Sequence, residues 1–140
     1  MRQLVVLAIC TVATLLSSSF AQATIRITSD QGGRLIDYVE RFNRARASGE
    51  RVIIDGTCLS ACTLVVGMLP RDQLCATPRA VLGFHAGSNA NATRGMMELY
   101  PANLREWINH HGGLAQRVIF LRGRELSAIM PTCAAVSAHP

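Results

Sequence analysis

Lysine is absent from the 140 residues, and all fourteen basic side chains are arginine. That removes any serine–lysine catalytic dyad. Aromatic residues are scarce as well, at 5% of the chain, too few to stack the bases of a nucleic acid strand. The formal charge of +5 does not restore such a partner. Arg34, Arg41, Arg44, Arg46 and Arg51 are interspersed with Asp37, Glu40 and Glu50, the pattern of a solvated helix face. No nucleic acid partner is expected.

An unbroken apolar run of about 20 residues, the length of a membrane-spanning helix, is also missing. The best candidate, Leu4 to Leu16, is interrupted by Thr11 and Thr14 and gives way to Ser17, Ser18 and Ser19. Arg2 precedes it and Ala21-Gln22-Ala23 follows, which together form a secretory signal with cleavage expected after Ala23. A lipoprotein signal through Cys10 fits less well, because Leu7-Ala8-Ile9 leaves too short an apolar region before it. The expected organisation is a signal peptide over 1–23 and one domain over 24–140, exported to the periplasm or beyond, with no stable membrane span after processing. A domain of that length can bury one core but not two.

Past the signal stand Cys58, Cys62, Cys75 and Cys133. An even number of cysteines in an exported chain points to disulfides, with three pairings open. Zinc is the weaker alternative: Cys58 and Cys62 lack knuckle spacing, and no histidine follows at ligand distance. No metal and no cofactor are expected.

Thr24 to Thr28 alternates polar and apolar residues, and the segment from Ser29 to Gly33 supplies a turn. Leu35, Val39 and Phe42 then share a helical face, Gly49 stops the helix, and Val52-Ile53-Ile54 reads as a buried strand. A strand–helix–strand unit of this kind implies an α/β architecture with its site at the carboxyl ends of parallel strands. A buried helical run is expected to begin near Ser60. Short strands are expected over Leu74 to Thr77 and Ala80 to Phe84, delivering His85 at a strand end, followed by a surface loop from Ala86 to Thr93. A helix opening at Pro101 and stopping at Gly112-Gly113, then another over Leu114 to Leu121, complete the expectation.

Three separated pieces carry the candidate chemistry: Gly32-Gly33, Ser60 and His85, each after a strand. A serine hydrolase needs a hydroxyl nucleophile, an imidazole to take its proton, and backbone N–H groups aimed at the developing oxyanion. Taken singly, Ser60 is more often a helix cap and a glycine pair more often only a turn. His110-His111 are adjacent and do not share a helix face, and His139 lies in the tail. Asn91-Ala92-Thr93 fits a glycosylation sequon, a common motif, and Trp107 reads as a packing anchor.

Together, the three pieces resemble the Clp protease proteolytic subunit and crotonase superfamily. Ile27-Thr28-Ser29-Asp30-Gln31-Gly32-Gly33 is similar to the Clp subunit's strand and glycine turn, Gly56 to Cys62 to its nucleophile loop, and Arg79 to His85 to its strand ending in histidine. His85 follows Ser60 by 25 residues, and Gly33 precedes it by 27, close to that family's intervals. Exported members of the superfamily, with similar Ser-Ala-Cys-Thr and Gly-Phe-His segments, are closer still. The resemblance covers about Ile25 to Ala86. It implies a small single α/β domain built as a strand-strand-helix superhelix, with Ser60 as nucleophile, His85 as general base, and the N–H groups of Gly33 and Ala61 as oxyanion hole.

No aspartate occurs after Asp72, so the family's third catalytic acid has no counterpart; Glu98, Glu106 and Glu125 are the remaining acids in that region. Two functions stay open: a peptidase-like serine hydrolase acting on peptides or unfolded chains, and a binding or assembly module that kept the fold and lost the reaction. The sequence is compatible with a homo-oligomer and does not require one.

Overall fold

The computed structural model describes residues 23–134. The expected signal peptide, apart from Ala23, and His139 lie outside these residues. Strand β1 (Thr24–Asp30) is followed by helix α1 (Leu35–Ser48), which ends where Gly49 turns left-handed at φ 75°, a conformation glycine adopts without a Cβ clash. The chain then returns as β2 (Arg51–Leu59), parallel to β1.

Nine residues long, β2 serves two neighbours on one side. Its first half pairs with β3 (Leu74–Ala76) and its second half with β4 (Val81–Phe84), both parallel. The sheet order is β1-β2-β4-β5, with β5 (Ile119–Arg122) antiparallel to β4. Between β2 and β3 lie a 3₁₀ turn (Ser60–Leu64) and the short helix α2 (Val65–Met68). Helices α3 (Ala90–Leu99) and α4 (Ala102–His110) separate β4 from β5, and α5 (Gly123–Ile129) follows. The described residues form one small α/β domain. Its core gathers Val52, Ile54, Phe42, Leu64, Leu82 and Phe84, all fully buried; each large apolar side chain so buried contributes roughly 1.5 to 3 kcal/mol.

Two expectations are corrected. The segment read as a surface loop is one only up to Asn89, whose side chain accepts from Ala92 N–H at 2.9 Å and caps α3. Leu114 to Leu121 is not a helix: its second half is β5, where Ile119 and Leu121 are buried against β4 while Phe120 and Arg122 face out. Both disulfides are formed, Cys58 with Cys62 and Cys75 with Cys133, which fits an oxidising compartment. No helix among the described residues is long and apolar enough to cross a membrane.

The β1–β2 ladder shifts register opposite Gly56, where a Cβ would fall 2.0 Å from the Thr28 carbonyl oxygen. Beside this shift Asp55 is buried, and its carboxylate accepts from Thr77 Oγ1 (2.7 Å), Arg79 (2.5 and 3.1 Å) and Arg26 (2.8 Å). The Thr77 hydrogen bond, then those of Arg79 and Arg26, hold the Asp55 carboxyl well below the usual range against the opposing effect of burial. A lowered folded-state pKa means this stabilisation is complete above the unfolded value, about 4, and fades as pH falls through the folded one. Asp55→Asn is therefore expected to be less stable than wild type at pH 7 yet to lose less stability between pH 5 and pH 2, as read by urea unfolding. Parallel pH slopes in the two proteins would contradict this.

Candidate active site

Ser60 is the first residue after β2 and has φ 54°, the one non-glycine positive φ among the described residues. Such backbone costs of order 1 to 3 kcal/mol and persists only where neighbours enforce it. Three of them do so here. The Cys58–Cys62 bridge spans the turn, with both cysteines fully buried. The Thr63 hydroxyl donates to the Ser60 carbonyl at 2.6 Å. Since that carbonyl can only accept, the 2.6 Å contact between Thr63 Oγ1 and the Tyr100 hydroxyl has Tyr100 as donor. Burial pushes the Tyr100 phenol above its ordinary range, with the Thr63 bond acting the other way, so the donor keeps its proton.

The glycine turn closes on Ser60 from β1. Gly32 has φ 82°, and a Cβ there would stand 2.6 Å from the Leu59 carbonyl oxygen and 2.7 Å from Ser60 Cβ. Only glycine allows that approach. The third piece, His85, follows β4 directly; Phe84 before it is fully buried, edge-on to Tyr100 at 5.6 Å and tilted against Trp107 at 5.9 Å. These aromatic contacts fix the strand end from which the imidazole projects. Trp107 is thus a packing anchor, as its sequence context suggested.

Ser60, His85, Gly33 and Ala61 all line one cavity of about 630 Å³. The sequence pointed to these four; it did not point to Met96 and Gln116, which line the same cavity from α3 and from the segment before β5. Nor did it assign a role to Thr63, Tyr100 or Asp30, although Thr63 and Asp30 fall in segments that carry the resemblance. Of these, Asp30 alone left a local signal, an Asx-type residue two positions before a glycine.

His85 Nδ1 lies 2.7 Å from the Ala86 carbonyl oxygen. A carbonyl only accepts, so Nδ1 carries the proton and Nε2 is left as the basic nitrogen. A main-chain oxygen thus occupies the place that a carboxylate holds in a full triad. Glu98, Glu106 and Glu125 are absent from the cavity lining, and Glu125 instead stands 3.9 Å from His111 Nε2. Among the described residues no hydrogen bond joins the Ser60 hydroxyl to the His85 ring. His111 stacks on Trp107 at 4.1 Å and its Nδ1 meets the Trp107 carbonyl, so its ring is spent on helix packing. No group of three or more histidine, cysteine, aspartate or glutamate residues among those described could hold a metal ion.

No protein-family model matches the chain, and no curated protein matches it in sequence. Among solved structures, a peptidase from Plasmodium falciparum is similar in fold, with TM-score 0.51 and 7% identity over 77% of this chain and 74% of that one. A second structure, described as an enzyme, matches with TM-score 0.51 and 6% identity over 77% of this chain and 73% of its own. At these identities the likeness is one of fold alone: a small α/β domain shared with a peptidase.

Proposed function

We propose that the protein is an exported serine hydrolase of the Clp and crotonase type, acting on peptides or unfolded chains outside the cytoplasm. The observation that carries this reading is the strained backbone of Ser60, kept at positive φ at a strand-to-helix turn that opens into the cavity it shares with His85. A plain helix cap has ordinary extended backbone and needs no such strain. In the proposed reaction His85 Nε2 takes the Ser60 proton as Oγ attacks the substrate carbonyl. The Gly33 and Ala61 N–H groups receive the oxyanion. The proton then passes to the leaving amine as the carbonyl–nitrogen bond breaks, and water releases the acyl group by the same route.

The carbonyl at His85 Nδ1 favours a second reading, a binding module that has kept the fold without the reaction. Without a carboxylate, the imidazolium formed during attack is less stabilised, although the Ala86 carbonyl keeps the tautomer whose loss slows a triad enzyme by about 10⁴-fold when its aspartate becomes asparagine. One experiment separates the two. The folded, processed protein is expected to be labelled by a fluorophosphonate probe, and Ser60→Ala and His85→Ala to take no label. Folded wild type that stays unlabelled would leave the binding module as the surviving function.

A further inference from the structure

The Ser60 wall of the cavity is braced by a strand, a disulfide and two hydroxyls. The glycine turn between β1 and α1 lines the cavity beside Ser60 and packs closely on it, but the direction of its N–H groups depends on what holds the turn from its other side. Asp30, the last residue of β1, supplies the tie. Its carboxylate accepts from the Gly32 N–H at 2.9 Å, from the Tyr38 hydroxyl, and from Arg41 at 3.0 Å.

Tyr38 and Arg41 are three residues apart on α1 and so share a face of the helix; the Arg41 guanidinium lies over the Tyr38 ring at 5.8 Å. Tyr38 also presses its ring edge toward Gly33, where a Cβ would meet Tyr38 Cε2 at 3.3 Å. One carboxylate therefore joins the end of β1, the turn and the first half of α1. Its side chain is 15% exposed, so these bonds are shielded from competing water. Burial alone would raise the Asp30 pKa, but the bonds from Tyr38, Gly32 and Arg41 outweigh it and hold it below its ordinary value. Burial first, and then the bond to Asp30, push the Tyr38 phenol up to about 12, so this donor keeps its proton at neutral pH.

We infer that Asp30 is a positioning residue for the site: by holding the Gly32 N–H it fixes the glycine turn and aims the next N–H, that of Gly33, into the cavity. The Gly32 N–H is taken by Asp30 and is not an oxyanion donor. This rests on the reading that Ser60 attacks a carbonyl. A purely structural role for Asp30 would change stability and leave each folded molecule's turnover and transition-state affinity intact.

The test uses Asp30→Ala, with Asp30→Asn and Tyr38→Phe as milder variants should the alanine variant not fold. Asp30→Ala is expected to lower kcat by about 10- to 100-fold, less than the about 100- to 1000-fold seen when an oxyanion donor is removed outright, because the Gly33 N–H is misaligned rather than lost, with KM changed less than about twofold. A peptide boronic acid, which mimics the tetrahedral state, is expected to lose affinity by the same factor as kcat/KM. The Gly32 amide is expected to exchange with solvent at least about tenfold faster in the variant, well below its unfolding midpoint. Asp30→Asn keeps an acceptor for Gly32 but loses the charge, so its effects should fall between. Wild-type kcat and boronate affinity in a labelled, folded Asp30→Ala variant would overturn the inference while leaving the hydrolase reading intact. Should wild type itself take no label, the hydrolase reading fails, and Gly32 exchange alone decides whether Asp30 fixes the turn: unchanged exchange overturns it.

Discussion

Ser60→Ala is expected to abolish hydrolysis, a loss of about a thousandfold or more, while leaving the unfolding free energy close to that of wild type. Ser60→Gly should be equally inactive and more stable than Ser60→Ala by about 1 kcal/mol. The pair isolates the backbone. Both variants delete the hydroxyl, so they differ in the Cβ, which φ 54° disfavours. Glycine relieves that strain but gains freedom in the unfolded chain, which offsets part of the benefit. For a domain of this size about 1 kcal/mol corresponds to a rise of roughly 3 to 5 °C in Tm. Residual turnover in Ser60→Ala would mean that another group attacks. Equal or lower stability in Ser60→Gly would mean that the site stores no strain at Ser60.

Much of the fold could be read along the chain because its first half keeps each structural signal local. The change from period two to a helical face at Leu35, Val39 and Phe42, with Gly49 as the stop, places β1, α1 and β2 within a residue or two of where they begin, although β1 and β2 both run further. Ser60 and His85 were legible because both follow strands that can be read from composition, β2 and β4. Beyond His85 the signals compete. Leu114, Val118 and Leu121 sit at helical spacing, but Ile119 and Leu121 alternate with Phe120 and Arg122, and pairing with β4 decides for the strand. In α3, alanine, asparagine and glycine read as loop composition, whereas the Asn89 cap and the burial of Met96 favour a helix.

The supports of the site were the least legible part. Thr63 and Tyr100 are 37 residues apart in sequence, and nothing in either residue's neighbourhood signals that they meet. The Asp30 tie needs two α1 side chains whose inward direction follows only once α1 has packed on the turn after β2. The absence of a third acid could be read from the missing aspartates. That the Ala86 carbonyl takes its place could not, since it depends on how the chain bends after β4.

The cysteine pairing, open in the sequence, divides stability from site geometry. Cys75–Cys133 links residues 58 apart and Cys58–Cys62 residues four apart. In the chain-entropy account closing the longer loop contributes about 4 kcal/mol and the shorter about 2 kcal/mol. The long bridge also secures the C-terminal return beside β3, where Ala76 N–H donates to the Pro131 carbonyl at 2.8 Å and Cys133 N–H to the Ala76 carbonyl at 2.9 Å. Total stability for a domain of this kind is about 5 to 15 kcal/mol, so the double variant Cys75→Ala with Cys133→Ala is expected to be marginal at 37 °C. The variant Cys58→Ala with Cys62→Ala should lose about half as much stability. Its larger effect should appear at Ser60: without the bridge across the turn, the strained φ can relax, and fluorophosphonate labelling of the folded protein is expected to slow by about tenfold or more. Urea unfolding and labelling rates of the two double variants check both halves. Equal stability losses would show that loop length does not govern these bridges. Unchanged labelling in the short-bridge variant would leave the buried Thr63 and Tyr100 hydroxyls and the close approach of Gly32 as the restraints that hold Ser60 in place.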